Sequence, residues 1–301
     1  MRKMMTVIIS ILLILGCLCS CKAEGTKTSE ADNKKENYRE HQELTAFQMS
    51  FDADNMLRVS IPEANLNNVF MRETSANELL DNDIYGQVYL LADDRYGGNR
   101  GTSDHYLVVV TNDKIVVEDL SKWEDQACYS GNIELCDFDG DGDKEILLHE
   151  CVGMIGGAGQ YLSRVFNFDD NKLVEMFCSD NGTNDFNTGF SIKILKDRKF
   201  VIENEITKYS EQFRLEDRKD DYFDSWYDKN GDPVEQEILV DSFYEFSPVD
   251  IDKDGVYEIV GRQYVSLIGH SDGIGSATTV LKFNNEASKF EIIETSFSLE
   301  F

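Results

Sequence analysis

The chain has 301 residues, 41% of them hydrophobic, and its 57 Asp and Glu against 29 Lys and Arg give a formal net charge of −28. That apolar content suffices for a large core, and only three Pro and 21 Gly exclude a collagen-like or generally disordered chain. Phosphate binding needs clustered Lys and Arg, so we expect no nucleic-acid partner and expect cations to be attracted instead.

The N-terminus has the pattern of an export signal. Two basic residues precede an apolar run at 6–15 that is too short for a standard membrane-spanning helix. Leu18-Cys19-Ser20-Cys21 then resembles the lipobox of bacterial lipoprotein signal peptides, which implies lipidation of Cys21 and removal of everything before it. Cys17 is an alternative lipidation site, and an ordinary cleaved signal is another interpretation. We expect a signal peptide over 1–21 and an anchor in the bacterial cell membrane, on its extracytoplasmic face.

The mature chain is predicted to divide into a tether and one domain. Residues 22–44 are polar, charged and almost free of apolar side chains, so they cannot bury a core and are interpreted as a flexible tether. Residues 45–301 form the predicted domain. Export permits disulfides, but four cysteines allow three pairings and buried free thiols are equally compatible with the sequence. The cysteines concerned are Cys128, Cys136, Cys151 and Cys178.

Two acidic loops carry the most specific pattern in the sequence. The first acidic loop, residues 137–145, and the second acidic loop, residues 250–258, both place acids at relative positions 1, 3, 5 and 9 and a Gly at position 6. Alternating carboxylates on a tight loop can supply the roughly six to eight oxygens that Ca²⁺ prefers. The expected calcium ligands are Asp137, Asp139, Asp141, Glu145 and the carbonyl of Asp143, then Asp250, Asp252, Asp254, Glu258 and the carbonyl of Val256. An EF-hand is excluded because position 12 is Leu148 or Gly261 and strand, not helix, follows.

Strand-length segments repeat around these loops. Three strands are recognised in each predicted four-stranded unit, with a Gly-rich turn after the first of them. The units comprise 86–91, 105–111 and 114–119; 145–151, 161–168 and 172–177; and 258–265, 278–283 and 289–295. A degenerate unit fits across 185–244. Helical periodicity is scarce, and Asn77 to Leu80 is the segment with a predicted helical turn. Four-stranded units in series are the pattern of β-propeller blades.

The acidic loops resemble a known repeat family. Asp-Phe-Asp-Gly-Asp-Gly-x-x-Glu-Ile at 137–146 and Asp-Ile-Asp-x-Asp-Gly-x-x-Glu-Ile at 250–259 are similar to the FG-GAP and VCBS repeats of integrin-alpha-like β-propellers. The resemblance implies loops that link two strands of a blade and hold Ca²⁺, although the Phe-Gly and Gly-Ala-Pro landmarks are missing. The predicted fold is all-β and β-propeller-like, with about four to five blades of antiparallel strands.

No catalytic residue is assigned. Gly269-His270-Ser271-Asp272-Gly273 matches the G-x-S-x-G pattern of serine hydrolases, but a strand follows it where that motif needs a helix, so we predict a hairpin turn. The histidines lack metal-ligand spacing; they are His41, His105, His149 and His270. The 57 acidic residues offer too many pairs to mark a glycosidase acid and base.

The sequence therefore favours a lipid-anchored, calcium-binding β-repeat protein that acts as a ligand-binding or scaffold module, with calcium in a structural role. The alternatives are a secreted carbohydrate hydrolase and a purely structural cell-envelope protein. A protein or a glycan is the expected ligand. Six aromatic residues are a candidate contact surface for it, although burial in the core is the more frequent fate of such residues; they are Trp123, Tyr129, Tyr222, Phe223, Trp226 and Tyr227.

Overall fold

A computed structural model of the chain describes residues 47–52, 56–81, 83–93, 104–120, 129–153, 159–179, 186–215, 220–234, 239–267 and 269–300. The predicted signal peptide, tether and Cys21 lie outside these residues, as do Cys128 and Trp123. The described residues form seventeen strands and two short 3-10 helices, Pro62–Ala64 and Asp220–Ser225. The all-β fold class is thereby confirmed. No helix in the described part of the chain is long and apolar enough to span a bilayer.

The strands form four antiparallel sheets in chain order. Sheet I contains β1 (Gln48–Phe51), β2 (Leu57–Ile61), β3 (Leu66–Asp81), β4 (Ile84–Ala92), β5 (His105–Thr111) and β6 (Ile115–Asp119). Sheet II contains β7 (Ser130–Cys136), β8 (Glu145–Gly153), β9 (Gln160–Asp169) and β10 (Lys172–Cys178). Sheet III contains β11 (Phe190–Leu195), β12 (Lys199–Asn204) and β13 (Ser210–Arg214). Sheet IV contains β14 (Leu239–Val249), β15 (Glu258–Ser266), β16 (Gly273–Asn284) and β17 (Lys289–Leu299).

The predicted strand order within the repeat units is confirmed. The three units correspond to β4–β6, β8–β10 and β15–β17, and the degenerate unit contains sheet III. The predicted helical turn at Asn77 to Leu80 is wrong, because these residues lie in β3, where Asn77 pairs with Gln87. Leu80 is fully buried in the core between sheets I and II, and this tertiary burial outweighs any local helical preference.

Sheet II lies between sheets I and IV. Side chains alternate between the two faces of a strand, so Ile146 and Leu148 of β8 pack against sheet I while Leu147 packs against sheet IV. All three side chains are fully buried. This explains why β8 has three consecutive apolar residues at 146–148 rather than an alternating pattern: both faces of its sheet are covered.

Sheet III packs on sheet IV beside sheet II. In β15, Ile259 packs in the apolar cluster between sheets II and IV, and Val265 packs in the cluster between sheets III and IV. These two residues are an even number of positions apart, so they lie on the same face of sheet IV. A further apolar cluster joins β2 and β3 to the other face of β4 and β5 within sheet I. No apolar cluster of the described residues joins sheet I to sheet IV. The described part is thus a stack of antiparallel sheets, and it does not establish a closed propeller.

Two of the cysteines are buried free thiols. Cys136 ends β7 and Cys151 lies in β8, and neither forms a disulfide. Burial raises the pKa of the Cys136 thiol to about 12, with a smaller contribution from Glu134. Cys136 therefore stays protonated and packs as a small apolar side chain rather than acting as a nucleophile.

Candidate metal centre

The two acidic loops occupy the same place in two four-stranded sheets. The first connects β7 to β8 and the second connects β14 to β15, so each joins the first two strands of its sheet. In both loops the leading Asp accepts hydrogen bonds from backbone N–H groups further along the loop. Asp137 accepts from Gly140 at 2.6 Å and from Gly142 at 3.0 Å, and Asp250 accepts from Gly255 at 3.2 Å. The φ angles of these glycines are 82°, 97° and 94°, in the left-handed region that glycine adopts without strain.

The first acidic loop brings together three of its predicted ligands. Carboxylate oxygens of Asp137, Asp139 and Glu145 lie within 4.8 Å of one another. Calcium–oxygen distances of about 2.3–2.6 Å place ligands on opposite sides of the ion about 5 Å apart, so this separation fits Ca²⁺. Asp141 is exposed and lies outside this group of converging carboxylates. Asp143, which was predicted to ligate through its backbone carbonyl, donates its N–H to Asp141 at 2.8 Å.

Glu145 is the most buried acid of the first loop. Its side chain is 1% exposed and accepts the N–H of Phe138 at 2.7 Å. Burial first of all, together with the neighbouring carboxylates of Asp139, Asp141 and Asp137, raises the pKa of this carboxyl to about 8, against the opposing effect of the Phe138 N–H. A cation among these oxygens would stabilise the ionised form, so the electrostatics of the first loop also fit a metal ion.

The second acidic loop is arranged differently. Asp250, Asp252 and Asp254 place carboxylate oxygens within 4.8 Å of one another, but Glu258 is not part of this group. Glu258, 3% exposed, instead accepts a 2.5 Å hydrogen bond from the ammonium of Lys282. That bond raises the pKa of Lys282, which therefore stays charged. The predicted backbone ligand, Val256, is half-buried, and its N–H donates to Asp254 at 2.8 Å.

The two loops contact each other across sheets II and IV. The N–H of Tyr257 donates to the carbonyl of Asp137 at 2.8 Å, and the side-chain amide of Asn285 donates to the carbonyl of Asp139 at 2.7 Å. Sheet IV therefore holds the backbone of the first loop. Sequence reasoning missed Asn285 and Lys282, because neither lies in the acidic pattern and only the packing of the sheets brings them to it.

The serine-hydrolase pattern lies in a hairpin turn, as predicted. Gly273 pairs with Ser266, and β16 follows at once without a helix. The Nδ1 atom of His270 lies 2.9 Å from a carboxylate oxygen of Asp241, while Ser271 is exposed. His149 is half-buried, stacks on Tyr161 and contacts the hydroxyl of Ser163, and His105 is buried beside Glu150. No group of converging metal ligands among the described residues contains a histidine.

The predicted aromatic surface is largely core. Phe223 and Trp226 are 4% and 0% exposed and belong to the apolar cluster between sheets III and IV. Tyr222 and Tyr227 pack against the same cluster, and their hydroxyl groups donate to Asp272 and to the carbonyl of Leu195. Tyr129 remains exposed. The contact-surface interpretation is therefore wrong for most of this set, because the short 3-10 helix and the two residues after it turn their large side chains into the gap between the sheets.

A cavity of about 600 Å³ lies where sheets II, III and IV meet. Aromatic and polar side chains share its lining, among them Tyr161, Thr188, Asp241 and Gln263. The Gln263 amide donates to the carbonyl of Asp241 at 2.8 Å, and its own oxygen has no hydrogen-bond partner among the described residues. The open amide oxygen and the aromatic rings are groups that a bound ligand can contact.

Comparisons with known proteins match parts of the chain. The family model of the YybI C-terminal domain matches residues 188–298, which run from just before β11 to near the end of β17 and include the second acidic loop but not the first. No curated protein matches the chain. Among solved structures, a rhamnogalacturonan lyase PL11 of Bacillus licheniformis is 15% identical over 83% of this chain and 36% of the lyase, with a TM-score of 0.35. The chain thus spans just over a third of that lyase, and no conclusion about its activity follows from so distant a likeness.

Proposed function

We propose that this chain is a lipid-anchored, extracytoplasmic calcium-binding β-repeat protein that serves as a ligand-binding or scaffold module. The observation that carries the proposal is the pair of acidic loops. They occupy equivalent places in two sheets, their carboxylates converge, and they are hydrogen-bonded to each other across the sheets. Ca²⁺ is the proposed cofactor because carboxylate oxygens at these separations suit a hard, flexibly coordinated cation.

Calcium has a structural role in this proposal. The first loop concentrates buried acids whose mutual repulsion a divalent cation would relieve. Sheet IV holds that loop through Tyr257 and Asn285, so an ion bound there would stabilise the contact between sheets II and IV. A metal bound only in the folded state raises stability by mass action, by about 2.7 kcal/mol at a hundred times its dissociation constant.

The repeat and the anchor complete the proposal. Two four-stranded antiparallel sheets with an acidic loop between their first two strands support an FG-GAP- or VCBS-like, propeller-like arrangement of the sheets as blades. The lipobox-like segment ending at Cys21 supports attachment to the bilayer. A protein or a glycan is the proposed ligand, and the aromatic and polar lining of the cavity between sheets II, III and IV supports the glycan, because a sugar offers both apolar faces and hydroxyl groups.

Thermal unfolding of the full chain tests the calcium claim. With EDTA the melting temperature should fall, and excess CaCl₂ should restore it, because bound calcium stabilises the folded state. MgCl₂ at the same concentration should restore less, since Mg²⁺ demands stricter octahedral geometry. NaCl at matched ionic strength controls for screening of the acidic surface. A melting curve that chelator and calcium leave unchanged would remove the proposal.

A further inference from the structure

We propose that Lys282 is a built-in counter-cation of the second acidic loop, so that the first loop is the tight calcium site and the second binds calcium weakly. This inference rests on the proposed function, and it assigns to Lys282 the role of a specificity-determining residue. It distinguishes two loops that are almost identical in sequence pattern.

A positive charge from β16 lies against the second loop. The Lys282 ammonium lies 2.5 Å from a carboxylate oxygen of Glu258 and 4.0 Å from one of Asp252. The other oxygen of Glu258 accepts the N–H of Ile251 at 3.3 Å. The acid expected at the ninth ligand position is therefore hydrogen-bonded on both oxygens, and the converging group shrinks to Asp250, Asp252 and Asp254, which are partly or fully exposed.

The first loop has no such cation at the equivalent place. The strand register pairs Ile259 with Leu281 in sheet IV and Ile146 with Phe166 in sheet II. One residue further along, the position of Lys282 therefore corresponds to Asn167, a neutral side chain. Glu145, the counterpart of Glu258, forms no ion pair with any described residue and remains in the converging group.

This difference separates the calcium affinities of the loops. Calcium in the second loop would compete with the ammonium for Glu258 and would be repelled by it at close range. In the first loop no side-chain cation of the described residues contacts Glu145, so above about pH 8, where this carboxyl is ionised, the same ion gains the full attraction. A unit charge only a few Å from the ion is worth at least about tenfold in affinity at a partly exposed site.

Reciprocal substitution of the two equivalent positions tests the inference. Calcium titration calorimetry on the full chain, above about pH 8 where Glu145 is ionised, should resolve one tight site in the wild type. Lys282→Asn should strengthen calcium binding at the second loop by about tenfold or more, and Asn167→Lys should weaken the tight site by a similar factor. Should Lys282→Asn fold poorly because Glu258 loses its partner, Asn167→Lys still tests the idea, since it adds a partner to Glu145. Circular dichroism confirms that each variant is folded.

Site assignment and a charge control complete the design. Asp139→Asn should abolish the tight site and Asp252→Asn should leave it. Lys289→Asn removes the same charge from an exposed side chain of sheet IV, and it should leave the calcium affinity of the second loop near the wild-type value.

The two proposals fail differently. Absence of calcium binding in the wild type and in Lys282→Asn alike overturns the proposed function, and this inference with it. Calcium binding by the wild type, with equal affinities at the two loops or with the tight site lost in Asp252→Asn, overturns this inference alone. So does an affinity that Lys282→Asn and Lys289→Asn raise equally, since the effect would then be general charge rather than the position of Lys282.

Discussion

Replacing Glu145 with Gln is expected to change how pH affects the calcium-free protein. Burial raises the pKa of Glu145 to about 8, against an ordinary value of 4.5, so near neutral pH the folded state keeps a proton that the unfolded chain has lost. Stability therefore falls as the pH rises through this range. Gln keeps an acceptor for the Phe138 N–H but does not titrate, so the variant should not show this fall.

The magnitude depends on the pH window. At about 1.4 kcal/mol per pKa unit, the full shift of Glu145 corresponds to roughly 5 kcal/mol. Below about pH 6.5 this trend is opposed, because burial lowers the pKa of His149 to about 4 and its contribution to stability is lost as the pH falls from 6.5 to 4. Between about pH 6.5 and 8 His149 is neutral in the folded state and at most half protonated in the unfolded chain, so its contribution is small. Glu145 alone should then reduce the free energy of unfolding by roughly 2 kcal/mol.

Urea unfolding in EDTA at three pH values across this window measures the effect, with a repeat in excess CaCl₂. Calcium binds the ionised carboxylate, so the calcium-dependent gain in stability of the wild type should grow with pH, whereas Glu145→Gln should lose most of that gain. A calcium-free wild type whose stability is constant or rises between pH 6.5 and 8 would refute the reasoning, as would a variant that declines in parallel with it.

Two further predictions concern the sheets around the site. Trp226→Ala should lower the free energy of unfolding, measured by urea titration, by about 3–5 kcal/mol, because this side chain is fully buried. Tyr129→Ala, at an exposed aromatic side chain, should change it by less than about 0.5 kcal/mol. Equally small effects of the two substitutions would contradict the burial of Trp226. Gly275→Ala should destabilise the folded protein by about 1–3 kcal/mol, because the new Cβ would lie 2.1 Å from the carbonyl oxygen of Ser298. The Cβ of Gly269→Ala would meet nothing within 4 Å, so this variant should be near neutral. Urea unfolding midpoints that do not differ between the two variants would rule out this close strand packing.

The strand order was predictable because its signals are local. Apolar runs of strand length separated by Gly, Asn and Asp turns place β8–β10 and β15–β17 within a few residues of their observed bounds. The helical turn at Asn77 to Leu80 failed because its fate depends on pairing with β4, which a short segment does not reveal. Burial of Phe223 and Trp226 likewise depends on the gap between two sheets, and aromatic composition alone does not distinguish core from surface.

The sequence by itself determined the internal geometry of the acidic loops. Their hydrogen bonds run from backbone N–H groups to Asp side chains two to five residues earlier, and a nine-residue pattern of Asp and Gly is enough to specify them. Only the tertiary structure decided how the loops differ. Lys282 reaches Glu258 across 24 residues through the register of two strands, and Asn285 reaches Asp139 across 146 residues through the packing of two sheets. Contacts between residues so far apart arise from register and burial, which are properties of the whole fold and not of either loop.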